Sequence, residues 1–317
     1  MIRRGEAALH ICETRKGNVM KYYQTANSYC RRTFGSKVYK LALSAAETCP
    51  NRDGTVGYGG CTFCSAGGSG DFAAHAGQSI EAQIREAREI LGDKGRGLPN
   101  IAYFQSFTGT HGDLKKLEEI YTGAAAQPGI VGLSIATRPD CLGEDALAML
   151  RRLSGKTVLW VELGLQTIHE TTAKRINRCY PLEVYDRALE NLAPLGIHVI
   201  THLILGLPGE SREQMLESVR YVGQRSPGIK LQLLHVLRGT ALAESYAQGE
   251  FEALSLPEYC GIVADALELL PESTVVHRIT GDGAKRDLIA PLWSGDKKRV
   301  LAELNRTLSA RGIAPIS

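Results

Sequence analysis

The sequence predicts an α/β protein, a partial TIM-like barrel of six β-α units, and three observations predict it. Six apolar, strand-like runs each give way to a helical pattern in unbroken succession, which calls for parallel strands joined by right-handed crossovers. Polar residues able to do chemistry stand just after run upon run, as they do where the strands of a barrel open onto one mouth. No Gly-x-Gly-x-x-Gly follows the first strand, which disfavours a dinucleotide-binding sheet with a single switch point.

The first strand is expected over residues 38–43. Ser79 then offers an N-cap to a helix whose apolar face is Ile84, Ala87 and Leu91. A strand over 101–104 precedes a helix carrying Leu114, Leu117 and Ile120; a third over 130–136 precedes a helix over 142–153. The remaining units pair 158–165 with a helix over 182–195, 198–205 with 211–223, and 229–236 with 257–270. After the strands come Gln105, Ser106 and Thr108, then Thr137, Arg138 and Asp140. Strand four carries Glu162 and ends at Gln166; strand five carries Thr201 and His202 and runs through Ile204 into Gly206-Leu207-Pro208-Gly209-Glu210. Strand six ends at His235 and Arg238. Six strands contributing to one mouth suit a barrel.

Beyond the barrel, 274–279 reads as an extra strand and 280–286 as a polar turn, from which His277, Arg278 and Asp282 would reach the mouth if the strand continues the sheet. A final amphipathic helix over about 297–311 sets Val300, Leu301, Leu304 and Leu308 on one face. The chain thus divides into a basic N-terminal extension (1–37), the barrel (38–270) and a C-terminal strand and helix (271–317).

The segment between the first strand and the first helix carries the chemistry. Cys49, Cys61 and Cys64 fall within sixteen residues of a stretch too rich in Gly, Pro and Asn to sustain helix or strand, leaving a loop able to fold its sulfurs around one point. Cys61 and Cys64 form a Cys-x-x-Cys pair, a spacing that lets two sulfurs reach one metal centre. Clusters bound for electron transfer usually take four cysteines, so a cubane held by three leaves one iron open. Two other readings stand beside this one: a redox pair, or a Cys3His zinc site completed by His75.

Composition narrows the class. A hydrophobic content of 44% with 22% charged residues is ordinary for a globular protein, nothing approaches eighteen consecutive apolar residues, and the first residues lack a signal-peptide core, so a cytoplasmic protein without a membrane partner is expected. Eight cysteines without the dense spacing of a secreted scaffold agree with a reducing compartment, and Cys12, Cys30, Cys141, Cys179 and Cys260 read as isolated buried or half-exposed residues. The net charge of +3 permits a polyanionic partner. Within 1–37, eight Lys and Arg face two Glu and are interleaved with Tyr22, Tyr23, Tyr29 and Phe34, a mixture that suits phosphates and exposed bases or, equally, a solvated extension packing its tyrosines on the body.

The Cys loop, the six units and the strand-end polar residues together resemble the radical S-adenosylmethionine (radical SAM) superfamily. Eleven residues separate Cys49 from Cys61 where three are commonest; longer spacings occur in the branch of the Elongator catalytic subunit, and the chain is similar to that branch at Thr137-Arg138-Pro139-Asp140, 161–167 and 202–210. The likeness spans about 38–240; the acetyltransferase domain that follows in Elongator is not expected in 317 residues. Thr48-Cys49-Pro50-Asn51-Arg52-Asp53-Gly54, Gly59-Gly60-Cys61-Thr62-Phe63-Cys64 and Thr280-Gly281-Asp282-Gly283 further resemble the stand-alone bacterial radical SAM proteins of the YhcC/YtqA type, although Leu43-Ser44-Ala45-Ala46-Glu47 departs from the Asp-Ala-Gly-like run usual there.

The resemblance implies that Cys49, Cys61 and Cys64 hold a 4Fe-4S cluster whose open iron binds the amino and carboxylate groups of SAM, and that reduction yields a 5'-deoxyadenosyl radical. It places Phe63 against adenine, Gln105 and Gln166 on SAM, Arg138 on the methionine carboxylate, Glu162 and His202 near its amine or hydroxyls, and the backbone of Ile204 to Gly206 along the adenine edge. It further implies tRNA as partner, with a reductant such as flavodoxin or ferredoxin, and action on the C5 side chain of the wobble uridine, for example trimming carboxymethylaminomethyl to aminomethyl. Phosphates would sit on the N-terminal segment and the C-terminal helix. A radical SAM enzyme for a small molecule or porphyrin, and a non-catalytic zinc- or RNA-binding protein, remain as alternatives.

Overall fold

A computed structural model describes residues 20–68, 73, 77–281 and 285–316. In chain order the elements are β1 (Lys21–Thr25), α1 (Ala26–Phe34), β2 (Tyr39–Leu43), α2 (Ile80–Leu91), β3 (Asn100–Phe104), α3 (Leu114–Ala125), β4 (Ile130–Thr137), α4 (Glu144–Ser154), β5 (Val158–Gln166), α5 (Glu170–Arg175) and α6 (Leu182–Leu192). There follow β6 (His198–Leu205), α7 (Arg212–Gly223), β7 (Gly228–Leu233), β8 (Val236–Leu237), α8 (Ala241–Ala247), α9 (Leu256–Leu269), β9 (Val275–Arg278), β10 (Leu288–Ala290), α10 (Lys297–Ala310) and β11 (Ile313–Pro315).

Nine strands form one sheet in the order β11-β1-β9-β7-β6-β5-β4-β3-β2, every pairing parallel. Its edges, β2 and β11, do not pair, so the wall is a partial barrel. The helices start where side chains satisfy their first amide groups: Ser79 accepts from Ala82, Asp113 from Lys115 and Lys116, and Ser211 and Ser255 form capping boxes with Gln214 and Glu258. Alternation along each strand sends one set of residues to the helices and the other inward. The helix-facing set, among it Leu41, Leu43, Phe104, Leu133, Ile135, Leu163 and Leu231, builds the main core.

The inward set is layered. At the N-terminal ends of the strands Ile101, Trp160 and Ile200 form an apolar layer with Cys30. Two residues further along stand Tyr103, Glu162 and His202, and two further again Gln105, Gly164 and Ile204.

The bottom layer is closed by residues 20–37, the stretch expected as a basic extension. Thr25 caps α1 through a capping box with Ser28, and Gly35 ends it in the left-handed conformation at φ 72°. α1 then lays Tyr29, Cys30 and Phe34 against Trp160, with the Tyr29 ring stacked on His198 at 4.5 Å. β1 inserts between β9 and β11. Tyr23, Tyr29 and Phe34 thus pack on the fold while Tyr22 stays exposed; residues 1–19, including Cys12, lie outside the described residues.

At the other terminus α10 buries Val300, Leu304 and Leu308 against the core, while Leu301 remains 39% exposed, because it falls beside the apolar stripe. Arg311 pairs with Asp265 (2.6 Å) and Glu268 (2.6 Å) on α9, and Arg306 with Glu303, so this end of the helix acts as a cap on α9. Among the described residues no helix is long and apolar enough to cross a membrane.

Candidate functional site

The loop after β2 holds its shape through backbone bonds and three polar side chains. Arg52 and Asp53 donate their amides to the Cys49 carbonyl (2.8 and 3.2 Å), and Gly60 donates to that of Asn51 (2.7 Å). Asn51 Nδ2 donates to Cys61 Sγ (3.7 Å) and to the carbonyl of Asn177 (2.5 Å), and Asn177 Nδ2 donates back to Gly60 (2.8 Å). Arg52 grips the far side through the Ser65 carbonyl (2.6 Å). Asp53 accepts from Thr55 (2.6 Å) and pairs with His111 (2.7 Å), contacts that hold its carboxyl below the usual carboxylate range.

Cys49, Cys61 and Cys64 line one wall of a cavity of about 230 Å³. Burial, then the neighbouring Cys64 and Cys49, push the Cys61 thiol up to about 12 against the opposing charge of Arg138. Among the described residues no three His, Cys, Asp or Glu side chains are placed to grip a single metal ion; His75, proposed for a Cys3His site, lies outside the described residues.

The opposite end of the cavity is ionic. Glu162 is fully buried and accepts four donors, Lys40 and Ser134 (2.6 Å) on one oxygen, Lys230 and His202 (2.7 Å) on the other. Burial opposes its charge, but Lys230 and Lys40 outweigh that and hold its carboxyl well below the usual range. Burial, then Lys230, lowers His202 to about 4, so the ring is neutral at pH 7: Nε2 donates to Glu162 while Nδ1 accepts from Gln232 (3.4 Å). Lys230 is pulled down to about 7, mainly by burial, and also donates to Tyr103 Oη (3.2 Å).

Of the expected cofactor residues, Phe63, Gln105, Arg138, Glu162, Gln166, His202 and Ile204 all line this cavity. Phe63 packs on the apolar cluster containing Ile204 and Leu234. Gln166 sits at φ 72°, a left-handed conformation uncommon outside glycine, and its buried Oε1 has no partner.

Four of the expected residues have their polar groups engaged by protein partners. Arg138, assigned to a carboxylate of SAM, gives its fork to Asp140 (2.9 and 2.7 Å) and also donates to the Arg178 carbonyl (2.9 Å). Glu162 has both oxygens filled, and His202 is spent on Glu162. Gly206 lies off the cavity wall: its N–H points to Met215 Sδ (3.1 Å), and its φ of 91° lets the chain turn away toward Leu254. Of the extra-strand residues, Arg278 lines the cavity, His277 is buried beside His198 (2.9 Å), and Asp282 lies outside the described residues.

Residues 47–222 match the family described as the Radical SAM superfamily, and 227–310 its Radical_SAM C-terminal domain. The chain belongs to the radical SAM superfamily. This radical SAM protein is 45% identical over 296 residues to the uncharacterized protein YtqA of Bacillus subtilis, covering 93% of this chain and 92% of that one. It is 36% identical to YhcC of Escherichia coli over 284 residues, 89% of this chain and 91% of that one. Its fold matches the archaeal Elp3 of Methanocaldococcus infernus with a TM-score of 0.67 at 20% identity, covering 87% of this chain and 64% of that one. It is a radical SAM enzyme, using a 4Fe-4S cluster and SAM.

The residues present fit both groups. A cluster is held by thiolates and takes its sulfurs from farther apart than a single ion does, which suits Cys49, Cys61 and Cys64 on one cavity. The orphaned Oε1 of Gln166 offers an acceptor to a SAM amine or hydroxyl within the same cavity. Sequence reasoning missed Lys40, Tyr103, Asn177 and Lys230. The signal for the lysines was there: a charge inside an otherwise apolar parallel strand, in Tyr39–Leu43 and again in Gly228–Leu233, marks an inward position with a buried partner.

Proposed function

We propose that this radical SAM enzyme modifies the C5 side chain of the wobble uridine of tRNA, as in conversion of carboxymethylaminomethyl to aminomethyl. The observation that carries the reading is the single cavity joining the three thiols to a buried cationic end. The fold likeness to Elp3 supports the reading. So do the exposed cations Lys297, Lys298 and Arg299 at the start of α10, close behind Ser294, whose Oγ pairs with His235 on the cavity wall (3.1 Å). The basic N-terminal segment does not enter this reading, since α1 packs at the opposite end of the strands.

When bound, the cluster and SAM supply a 5'-deoxyadenosyl radical that takes a hydrogen atom from the substrate. Cys49, Cys61 and Cys64 hold the cluster, with Arg138 as a nearby countercharge. Gln166 orients SAM by hydrogen bonding, Phe63 and Ile204 offer it apolar contact, and the closed bottom layer keeps water from the far end of the cavity. A low-potential protein such as flavodoxin or ferredoxin donates the electron, in the cytoplasm. The test is mass spectrometry of tRNA nucleosides from a strain lacking the protein: an altered wobble uridine is expected, and an unchanged nucleoside profile overturns the reading.

A further inference from the structure

Cys61 and Cys64 belong to two hollows. On one side they stand on the wall of the cavity already described; on the other, with Arg52, Gly60, Thr62, Asn177 and Thr240, they line a second hollow of about 420 Å³. This one opens to the surface, where Gly59 and Gly239 on its wall are exposed. The Cys-x-x-Cys turn is therefore a partition, one turn of chain thick, between the cavity and the outside. Its outer side is already shaped: the Thr62 amide donates to the Ile176 carbonyl (3.1 Å), and the Thr62 carbonyl accepts from Leu242 (2.9 Å).

The surroundings of the hollow are apolar at one point and cationic at several. Beside Gly59, the loop closed by a bridge between Asp53 and Tyr58 holds Val56 at 47% and Tyr58 at 78% exposure. Lys174 and Arg175 are exposed on the segment leading into Asn177, and Arg238 on that leading into Gly239. Arg52 gives its guanidinium to carbonyl oxygens, at Ser65 (2.6 Å) and Cys64 (3.3 Å), and so keeps its full charge. Most nearby carboxylates are engaged: Asp53 with His111 (2.7 Å), Glu170 with Arg178 (3.0 Å) and Asp287 with Arg286 (2.9 Å), while Glu250 lies 3.7 Å from Arg175. Against the cations that leaves Glu244, exposed on α8. An exposed aromatic ring with cations around it suits a small, transient interface with an acidic protein.

We propose that this outer hollow is the docking face of the electron donor, an acidic low-potential carrier protein. Electron transfer weakens steeply with distance, and at the partition the carrier comes within one turn of chain of the cluster's cavity. One electron passes: the carrier's reduced cofactor is oxidised by one electron and the cluster is reduced by one, with no bond of this chain formed or broken. The carrier and SAM thus use opposite sides of the Cys-x-x-Cys turn. This inference is independent of which substrate is modified, so it stands or falls apart from the wobble-uridine reading.

The test uses the reconstituted protein, kept anaerobic, with an acidic flavodoxin and an acidic ferredoxin as probes, each in turn. Binding of one of them is expected, weakening as salt is raised. Lys174→Glu with Arg238→Glu, at exposed positions, should weaken it about tenfold and slow cluster reduction by the reduced carrier to match. Arg31→Glu with Lys37→Glu, the same change of charge on α1 and the turn after it at the opposite end of the strands, should leave both within about twofold. Reduction by dithionite, which needs no docking face, should stay within about twofold of wild type in both pairs. A carbodiimide should join the carrier's carboxylates to Lys174, read by peptide mass spectrometry. Binding of neither carrier, equal weakening in the two pairs, or cross-links confined to the lysines of α10 overturns the docking face. If the Lys174 and Arg238 pair keeps its affinity for the carrier and loses that for tRNA, the hollow is an RNA surface and the proposal falls.

Discussion

Asn177 donates from Nδ2 to the carbonyl oxygen of Gly60 at 2.8 Å, joining two loops 117 residues apart. The same nitrogen reaches the Tyr58 carbonyl (3.2 Å), and the Asn177 carbonyl accepts from Asn51 (2.5 Å). The loop after α5 therefore splints the Cys loop, and Asn177 holds a φ of 55° to do so. Losing these bonds costs about 1–2 kcal/mol locally. Asn177→Gly removes the two side-chain bonds, keeps the carbonyl that accepts from Asn51 and suits the backbone, whereas Asn177→Ala adds left-handed strain. Both are expected to lose iron to a chelator faster than wild type, the alanine variant fastest; equal retention in all three would show that the splint does nothing for the loop.

Each of Cys49→Ser, Cys61→Ser and Cys64→Ser is expected to bring iron and sulfide after anaerobic reconstitution to background. Cys260→Ala, in the buried face of α9, should keep both at wild-type levels. Iron and sulfide assays decide it. Retention of a full cluster by any one of the three serine variants would mean that another side chain takes its place.

Gln166→Ala is expected to weaken SAM binding about five- to tenfold, the worth of one buried hydrogen bond, in equilibrium binding to the cluster-loaded protein. Because Gln166 stands at φ 72°, Gln166→Gly would relieve the backbone while losing the same bond. The glycine variant should therefore bind SAM as weakly as the alanine variant yet unfold at a higher temperature. Unchanged SAM affinity in both would remove Gln166 from the site.

Acid should loosen the bottom layer before it reaches the carboxylates. His198 is lowered to about 4 by burial and then by Lys40, and His277 is lowered further still, again by burial first. Between pH 6.5 and 4 the unfolded chain binds protons that the folded rings refuse, so stability rises with pH across that window and is lost as pH falls through it. For His198 alone this amounts to about 3 kcal/mol. Glu162, held below its ordinary range, begins to contribute loss once pH falls toward about 4.5 and continues below it. His202, lowered to about 4 as well, adds to the same window, so His198→Phe, which can keep the stacking on Tyr29, should reduce the slope between pH 6.5 and 4 in denaturant titrations without abolishing it; an identical slope would place the acid sensitivity elsewhere.

The six β-α units were legible because each apolar run and each helical face repeats at its own period, and that pattern survives in isolation. The partners of inward residues were not. In a strand buried on both faces alternation is faint, so Lys40 and Lys230 read as interruptions and not as the two ends of one ionic contact through Glu162. Arg138 shows the same limit at short range: the sequence displays a guanidinium and, two residues on, Asp140, yet only the fold reveals that one satisfies the other. Gly206 shows the same limit at a strand's end, which does not announce which way its last N–H turns. In the opening segment composition left two readings equal: the described cations Arg31, Arg32 and Lys37 are exposed while Tyr29, Cys30 and Phe34 of α1 go inward, a division that a count of charges cannot express.

α1 stoppers the floor of the cavity, while Cys49, Cys61 and Cys64 stand on its wall. If SAM and the proposed substrate both enter past those sulfurs, their order is set by geometry: the cofactor is seated first, and what is left of it departs after the substrate.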